Sequence, residues 1–254
     1  MVTASFLTRD VDSPRSEIDA IASRLVRVRE SGGSPMIQTP VLYPSGRMVG
    51  VRLLGGPDRY TVTDDGGAMA EAEMVGAEDL CREEARKIAE RYQLRFNRWE
   101  LFEVEAPADL LASFISIVAN ASAEAMLRTT DALTKRMERV KREQLAERLE
   151  RIFGSHRVAK HPLVHGSSTK EWRFEAAVAM PAGRRALFAL VTPAPASVAW
   201  SYAKIDDVSR IEGAPLISAV TEGRLAPEDR ALIGRAARHV FSVNDTDDVL
   251  RAAA

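Results

Sequence analysis

FEAAVAMPAGRRALFALVT, residues 174–192, is the stretch of sequence that decides the fold of the C-terminal half. It holds two nearly continuous apolar runs, Phe174–Met180 and Ala186–Val191, on either side of the turn sequence Pro181-Ala182-Gly183. Short apolar runs bounded by turn residues are typical of strands that are covered on both faces of a sheet. The stretch therefore predicts a β-hairpin inside a covered sheet.

The elements around this hairpin predict an α/β domain. Helical and strand spacings of the apolar residues give helix 137–153, strand 157–163, strand 171–179, strand 185–192, helix 196–209, strand 215–220, helix 226–237, strand 239–243 and helix 245–252. Helices that alternate with strands in this way pack on the faces of one sheet.

The N-terminal half predicts a β-meander accompanied by helices. A helix begins at Pro14, and Gly32-Gly33 is expected to end it. Its apolar face follows three- and four-residue spacings and comprises Ile18, Ile21, Ala22, Leu25 and Val28. The elements that follow are strands 37–43, 48–54 and 59–63, helices 67–75 and 78–92, and strand 95–105.

An almost uninterrupted helix is predicted from about residue 107 to residue 153. Its apolar stripe becomes narrow after Asn120, where charged residues become frequent. A long helix with a narrow stripe usually connects two domains or packs against a second chain. We therefore expect a flexible tail over residues 1–12, an N-terminal α+β domain over 13–130, a C-terminal domain over 131–254, and a homodimer.

The composition is that of a globular protein and excludes several chemistries. With 35 basic and 36 acidic side chains the formal net charge is −1, so the surface as a whole is not designed to hold nucleic acid or anionic lipid. The single cysteine, Cys81, cannot form an internal disulfide or a zinc cluster of several thiolates, and its amphipathic helix predicts that it is buried. The glycine doublets lack the spacing of a phosphate-binding loop, so we expect no nucleotide cofactor.

The hydropathy pattern predicts a cytoplasmic protein without a membrane partner. The N-terminal residues lack the apolar run of a signal peptide. The longest apolar stretch, Leu110–Ala119, is interrupted by Ser113 and Ser116 and is too short to span a bilayer.

Two adjacent acids, Asp64 and Asp65, precede Gly66 at a strand-to-helix corner. Neighbouring carboxylates on a turn seldom converge on one cation without further ligands. The favoured interpretation is that one acid caps the next helix and that Gly66 adopts a backbone angle that other residues resist. Asp64 and Asp65 remain the alternative metal ligands.

Three histidines, His156, His161 and His165, lie close together in the sequence. On a strand His161 and His165 would share a face, but no nearby carboxylate or thiol completes a zinc site. A nucleophilic pair of Ser167 with His165 would lack an acid to orient the imidazole. We therefore expect neither a metal site nor a catalytic site in this segment.

The basic end of the long helix is the best candidate surface for a ligand. Arg136, Arg139 and Arg142 can line one side of this helix and contact the phosphates of a nucleic acid. The alternative is a solvated helix whose arginines pair with acids, as Glu138 with Arg142. Three aromatic side chains could stack on bases or pack in a core: Trp172, Trp200 and Tyr202.

The predicted order helix–strand–strand–strand–helix–strand resembles the core of the restriction-endonuclease-like fold. Active members carry an Asp on the second strand and Glu-x-Lys on the third, which together hold a divalent metal beside the scissile phosphate. The matching position on the second strand is Glu175, whereas strand 185–192 has no carboxylate and no lysine. On the following helix Lys204 is the alternative source of the lysine, and Asp206 or Asp207 is the alternative source of the carboxylate. The resemblance implies a nuclease-like domain that lacks the usual catalytic motif.

The two halves together also resemble two neighbouring domains of unknown function that occur in bacterial and phage proteins. The first is marked by Thr39-Pro40 and by the segment 60–66, which ends in Asp-Asp-Gly. The second is marked by His165-Gly166-Ser167 and by Phe174-Glu175, where the related domains have Phe-Asp. The resemblance covers most of the chain from about residue 15. It implies a prokaryotic or mobile-element origin and a role in phage–host conflict.

Three hypotheses for the function remain open. The preferred one is a non-catalytic binding protein that engages a protein partner or DNA through its nuclease-like domain and long helix. The second is a divergent metal-dependent nuclease that uses Glu175, Lys204 and Asp206. The third is a structural oligomerisation module without contact to nucleic acid.

Overall fold

The computed structural model describes residues 14–56, 58–97, 99 and 101–252. Its helices, antiparallel sheets and long helix confirm the α+β class. The chain divides into two compact units, here the N-terminal unit (Met1–Lys135) and the C-terminal unit (Arg136–Ala254). This division falls within the long helix, close to the expected boundary between residues 130 and 131. The expected flexible tail over 1–12 lies outside the described residues.

The N-terminal unit is built on a six-stranded antiparallel sheet. Its elements are α1 (Pro14–Leu25), β1 (Arg27–Ser31), β2 (Ser34–Leu42), β3 (Met48–Gly55), β4 (Arg59–Thr63), α2 (Gly67–Glu73), α3 (Glu78–Tyr92), β5 (Arg95–Phe96), β6 (Phe102–Pro107) and the first part of α4 (Leu111–Phe153). The strands pair in the order β1-β2-β3-β4-β6-β5. One apolar cluster joins sheet and helices through residues such as Val51, Ile88, Phe102 and Val118. Cys81 is buried in this cluster, as predicted.

The first helix is shorter than the sequence predicts. It ends at Leu25, and Val28 lies in β1, which pairs with β2. Gly32 and Gly33 do not end a helix but form the turn between these strands, with φ angles of 60° and 76°. The β-branched Val26 and Val28 favour extended backbone, and pairing with β2 outweighs the helical spacing. The predicted apolar face is exposed in this chain at Ile18, Ile21, Leu25 and Val28, while the side chain of Ala22 is outside the described part.

The predicted strand 95–105 is two short strands that run in opposite directions. β5 pairs with β6, and Arg95 lies opposite Glu103. Asn97 makes the turn, because its Oδ1 accepts hydrogen bonds from the backbone N–H groups of Trp99 and Leu101 at 2.9 and 3.2 Å. An Asn side chain that bonds the backbone two residues further on stabilises a turn rather than a strand.

The C-terminal unit is built on a five-stranded mixed sheet. After the end of α4 its elements are β7 (Val158–Lys160), β8 (Leu163–His165), β9 (Glu171–Arg173), β10 (Ala176–Ala179), β11 (Arg185–Val191), α5 (Pro195–Ser209), β12 (Leu216–Thr221), α6 (Pro227–Ala236), β13 (His239–Ser242) and α7 (Asp247–Arg251). The sheet order is β13-β12-β11-β10-β7, with β8 and β9 as a separate hairpin. β11, β12 and β13 are parallel, and β10 is antiparallel to both of its neighbours.

The hairpin of β10 and β11 is the one that the sequence predicts, and both faces of the sheet are covered. Its strands pair on either side of Pro181-Ala182-Gly183. Along β11 alternate side chains enter two different apolar clusters. Leu187 and Ala189 pack in a cluster that includes residues of α5 and α6. Phe188 and Leu190 pack in a cluster that includes residues of α4 and α7.

Two predicted strands of this unit, 157–163 and 171–179, are each interrupted. His161 has a φ of 48° and is followed by Pro162, which has no N–H for a sheet, so β7 ends at Lys160. On the second strand the break falls at Phe174 and Glu175, between β9 and β10. Both interruptions place β8 and β9 outside the main sheet, beside α5.

By length and composition the helical stretch Ala108–Phe153 is long and apolar enough to cross a membrane, with a mean hydropathy of 1.6 over its most apolar window, which differs from the expectation for Leu110–Ala119. Of that window 33% is buried inside the protein. Core helices of soluble proteins share this length and hydropathy. The absence of a membrane partner therefore stays a prediction.

Candidate ligand-binding cleft in the C-terminal unit

Glu175 is the buried centre of the candidate site. It occupies the interruption between β9 and β10, and only 1% of the residue is exposed. Its Oε2 accepts a hydrogen bond from the backbone N–H of Leu190 at 3.0 Å and lies 3.6 Å from Nζ of Lys204. Its Oε1 lies 3.5 Å from Nη1 of Arg142. One carboxylate therefore balances two cations, one from α4 and one from α5.

Lys204 is buried with Glu175. Its Nζ donates a hydrogen bond to the carbonyl oxygen of Arg173 at 3.1 Å and lies 4.7 Å from the ring centroid of Phe174. Burial lowers the pKa of Lys204, the charge of Glu175 raises it, and the nearby Arg142 lowers it further. An ammonium that is held by a carboxylate, a carbonyl and a ring has a fixed position.

These charges lie at the floor of an open cleft of about 340 Å³. Three cations line it, Arg142, Arg173 and Lys204, against the acid Glu138 in the lining and the buried Glu175 beneath it. The first turn of α5, with Ser197, forms one wall of the cleft. The lining is therefore positively charged, although the chain as a whole has a net charge near zero.

Two tryptophans form the aromatic wall of this cleft. Trp172 of β9 and Trp200 of α5 meet edge to face, with ring centroids 6.0 Å apart and an interplanar angle of 65°. Nζ of Lys170 lies 4.1 Å from the Trp172 centroid and 4.4 Å from the Trp200 centroid. Trp200 is 60% exposed, which is unusual for so large an apolar side chain.

Asp207 fixes the position of Trp172. Its Oδ2 accepts hydrogen bonds from Nε1 of Trp172 and from the hydroxyl of Ser168, each at 2.6 Å. Its Oδ1 accepts from the hydroxyl of Ser167 and from the N–H of Ser168, each at 2.8 Å. These hydrogen bonds, with those of Ser168 and Trp172 first, hold the pKa of Asp207 well below its usual value. A Cβ on Gly166 would lie 2.0 Å from Oδ2, so this position has room only for glycine.

The structure brings together some of the predicted site residues and separates others. Glu175, Lys204 and Arg142 form one cluster, whereas Asp206 pairs with Arg210, the residue after the end of its helix, at 2.7 Å. Residues 204 and 206 are about 200° apart around a helix, so Asp206 lies on the other side of α5 from Lys204. Among the described residues, no group of three or more His, Cys, Asp or Glu side chains is placed to hold a metal ion.

Arg136 and Arg139 are exposed on α4, in the turns that precede Arg142. Within the described part of the chain neither forms an ion pair, while Arg142 pairs with Glu175 rather than with Glu138. The three arginines are spaced three residues apart and span about 120° of the helix surface. They form a basic strip that leads into the cleft.

The histidine segment contains structural contacts. Nε2 of His161 lies 2.8 Å from Glu143, and Nε2 of His165 lies 3.4 Å from Glu171. The hydroxyl of Ser167 donates to Asp207 and not to His165. His161 and His165 do not lie on one strand, because β7 ends before His161.

Asp64 and Asp65 in the N-terminal unit have separate partners. Asp64 is 2% exposed and accepts hydrogen bonds from the N–H groups of Gly66, Ala68 and Phe102 and from the hydroxyl of Ser122. Burial raises the pKa of Asp64, although these hydrogen bonds act in the opposite direction. Asp65 pairs with Arg52 at 2.7 Å. Gly66 has a φ of 73°, the left-handed conformation that the sequence predicts there.

Sequence reasoning considered Asp207 only as an alternative carboxylate for a metal, and it missed both the hydrogen bond from Asp207 to Trp172 and the pairing of Trp172 with Trp200. The motif Gly166-Ser167-Ser168 was visible in the sequence, but nothing local connects it with an acid forty residues further on. The signals available in the sequence were this Gly-Ser loop and two tryptophans in the same domain, whose exposure the sequence does not show.

Comparisons with protein-family models, with curated proteins and with solved structures gave no match to this chain.

Proposed function

We propose that this chain is a non-catalytic DNA-binding protein whose C-terminal unit holds the nucleic acid in the cationic and aromatic cleft. The observation that carries the proposal is the lining of this cleft, where three cations and two tryptophans surround an open space of about 340 Å³. Cations contact phosphates and aromatic rings stack on bases, which is the combination that proteins use on nucleic acid. The basic strip of Arg136, Arg139 and Arg142 extends this surface along α4.

The order of elements supports a nuclease-like ancestry without requiring cleavage. The C-terminal unit contains α4, β7, β10, β11, α5 and β12 in the order of the restriction-endonuclease-like core. Of the motif that such enzymes carry, the chain has Glu175 and a lysine, Lys204, that reaches it from α5. The oxygens of Glu175 already contact Leu190, Lys204 and Arg142, so a metal ion would have to displace these partners. We further propose a prokaryotic or mobile-element origin, a cytoplasmic location and a role in phage–host conflict.

The experiment is a fluorescence-anisotropy titration of single- and double-stranded DNA at about 50 and about 200 mM salt. We expect the Arg136→Ala/Arg139→Ala variant to bind DNA more weakly. The slope of log K against log salt should become less negative by about 2, because two phosphate contacts are lost. Arg184→Ala is the matched control, since Arg184 is an exposed arginine of the same unit at the opposite end of β11. Equal behaviour of the two variants would contradict the proposal.

The divergent-nuclease alternative is tested in the same samples with added Mg²⁺ or Mn²⁺. DNA cleavage by the parent that disappears in Glu175→Gln would establish a metal-dependent nuclease and overturn the non-catalytic proposal. Binding without cleavage in both proteins would support the proposal.

Self-association through the N-terminal unit is the second candidate function. The apolar residues Ile18, Ile21 and Leu25 of α1 are exposed, and an apolar groove of about 310 Å³ between β2 and α4 is lined by Ile37 and Ile115. Only Val26 separates α1 from β1, so the helix has no loop with which to fold back over its own sheet. We propose that α1 of a second copy of this chain occupies the groove.

Sedimentation analysis tests this second candidate. We expect the parent to be a dimer and the Ile21→Asp and Ile115→Asp variants to be monomers. Glu73→Lys is the charged-surface control, because Glu73 is an exposed residue of α2. A monomeric parent would contradict it, and binding of the parent to lipid vesicles would indicate a membrane as the occupant instead.

A further inference from the structure

Trp200 gives the cleft a feature that binding to phosphates alone does not require. Its indole is 60% exposed at the mouth of a cationic cleft, beside a second tryptophan whose position is fixed. We propose that the cleft takes single-stranded DNA, with one unstacked base against the Trp200 ring and the neighbouring phosphate against Arg142 and Arg173. This inference rests on the proposed function and specifies the ligand of the same site.

The size of the cleft favours a single strand. About 340 Å³ lies at the lower end of the range for ligand pockets, which is room for one nucleotide and not for a duplex. In a duplex each base is covered on both faces by its neighbours, so a protein ring cannot stack on it without extracting it. A single strand offers its base faces freely, and aromatic side chains bind them with little dependence on sequence.

The two tryptophans have different roles in this arrangement. Trp172 is half-buried and bonded through Nε1 to Asp207, so it forms a fixed wall. Trp200 meets it edge to face and keeps one side towards solvent. Asp207 is a positioning residue, because it acts on the ligand only through Trp172.

Lys170 lies over the ring faces of both tryptophans. Its ammonium lies 4.1 Å from the Trp172 centroid and 4.4 Å from the Trp200 centroid. The stacking of a base on an indole is stronger in free energy than the contact of an exposed ammonium with the same ring. The base therefore displaces Lys170. The lysine side chain is exposed and long, and the displaced ammonium stays within reach of the phosphate that accompanies the base.

The test is a titration with three probes of equal length: an oligo(dT), a duplex of the same length, and a deoxyribose-phosphate chain without bases. We expect the parent to bind oligo(dT) at least tenfold more tightly than the base-free chain, with quenching of tryptophan fluorescence. Trp200→Ala is expected to lose about tenfold for oligo(dT) and to bind the base-free chain and the duplex as the parent does. Trp200→Phe should recover most of the loss.

Trp99→Ala is the matched control, because Trp99 is an exposed tryptophan of the other unit and should leave all three affinities unchanged. A parent that binds oligo(dT) and duplex alike, with no effect of Trp200→Ala, would overturn this inference and leave the proposed function standing. A parent that binds none of the probes would overturn both. Circular dichroism and thermal unfolding of each variant confirm that its fold is intact.

Discussion

Asp64 shows at the scale of one residue how a buried side chain organises its surroundings. Its carboxylate collects hydrogen bonds from a turn, from the start of α2, from the first residue of β6 and from α4. Ser122 also contacts the hydroxyl of Tyr43 at 2.7 Å, so the chain of polar groups continues through the core. Desolvation is the largest influence on the pKa of Asp64, and it raises this pKa because it favours the neutral acid.

Asp64→Asn is expected to destabilise the N-terminal unit by about 1–3 kcal/mol, because an amide nitrogen cannot accept the hydrogen bonds that one carboxylate oxygen accepts. The raised pKa makes the loss depend on pH. The folded state binds the proton of Asp64 more tightly than the unfolded chain does. The stabilisation from this proton is therefore complete below the ordinary pKa of 3.8, and it is lost as the pH rises through the raised pKa of the folded state. The difference in the free energy of unfolding between the parent and Asp64→Asn should therefore become smaller as the pH rises.

Urea unfolding at several pH values measures this difference. Asp65→Asn serves as the control, because Asp65 is exposed and its pair with Arg52 should contribute about 1 kcal/mol or less. A difference between parent and Asp64→Asn that grows with pH would contradict the raised pKa.

Gly166 tests the hydrogen bonds around Asp207. The added Cβ of Gly166→Ala would collide with Oδ2 of Asp207, so we expect a loss of about 1–3 kcal/mol and a shift in the fluorescence of Trp172. Gly234→Ala, in α6, should instead be neutral or stabilising by up to about 1 kcal/mol, because its new Cβ would lie 4.0 Å from Cγ2 of Val240, an ordinary van der Waals distance. Similar unfolding curves for the two variants would contradict the close approach at Gly166.

At the scale of elements, the Glu175 cluster connects α4, α5 and β11 around the interruption between β9 and β10. The apolar runs of the sequence predicted the strands and the hairpin, because burial on both faces leaves a continuous signal. The interruption at Glu175 could not be predicted, because it depends on partners distant in sequence. Asn97 and Pro162 were local signals that the strand predictions did not use, since an Asn favours a turn and a Pro has no N–H for a sheet. Lys204 and Glu175 were predicted as a pair only as an alternative, and Arg142 was assigned to a different surface.

Glu175→Ala should destabilise the C-terminal unit by about 3–5 kcal/mol, because Lys204 would remain buried without a counter-charge. Lys204→Met in the same chain should restore much of this loss, since the uncompensated ammonium is then absent. Chemical unfolding of the parent, the two single variants and the double variant gives the coupling energy between the two residues. If the loss of stability in the double variant equalled the sum of the losses in the two single variants, the ion pair would be contradicted.

At the scale of the whole molecule, the chain has separate apolar cores in its two units. Phe102 lies in the core of the N-terminal unit, and Phe188 lies in a core of the C-terminal unit. The division follows Lys135, whereas the apolar stripe of α4 already becomes narrow after Asn120. The cleft could not be predicted, because it is assembled from residues 138–204 by tertiary packing.

Phe188→Ala is expected to cost about 3–5 kcal/mol in the C-terminal unit and to leave the N-terminal unit folded. Hydrogen exchange followed by mass spectrometry should show faster exchange in residues 136–254 and parental exchange in the sheet of the N-terminal unit. Phe102→Ala should give the converse pattern. Loss of protection in both units from either variant would show that they unfold as one.

The burial of Cys81 has a practical consequence. The only thiol of the chain lies inside the N-terminal core, so maleimide reagents will leave the native protein unlabelled under folding conditions. A cysteine introduced at an exposed position away from the cleft, such as Arg184→Cys at the opposite end of β11, would therefore take a single dye without any prior removal of the native residue. The natural chain can therefore be labelled with one dye at a chosen position for single-molecule spectroscopy of ligand binding.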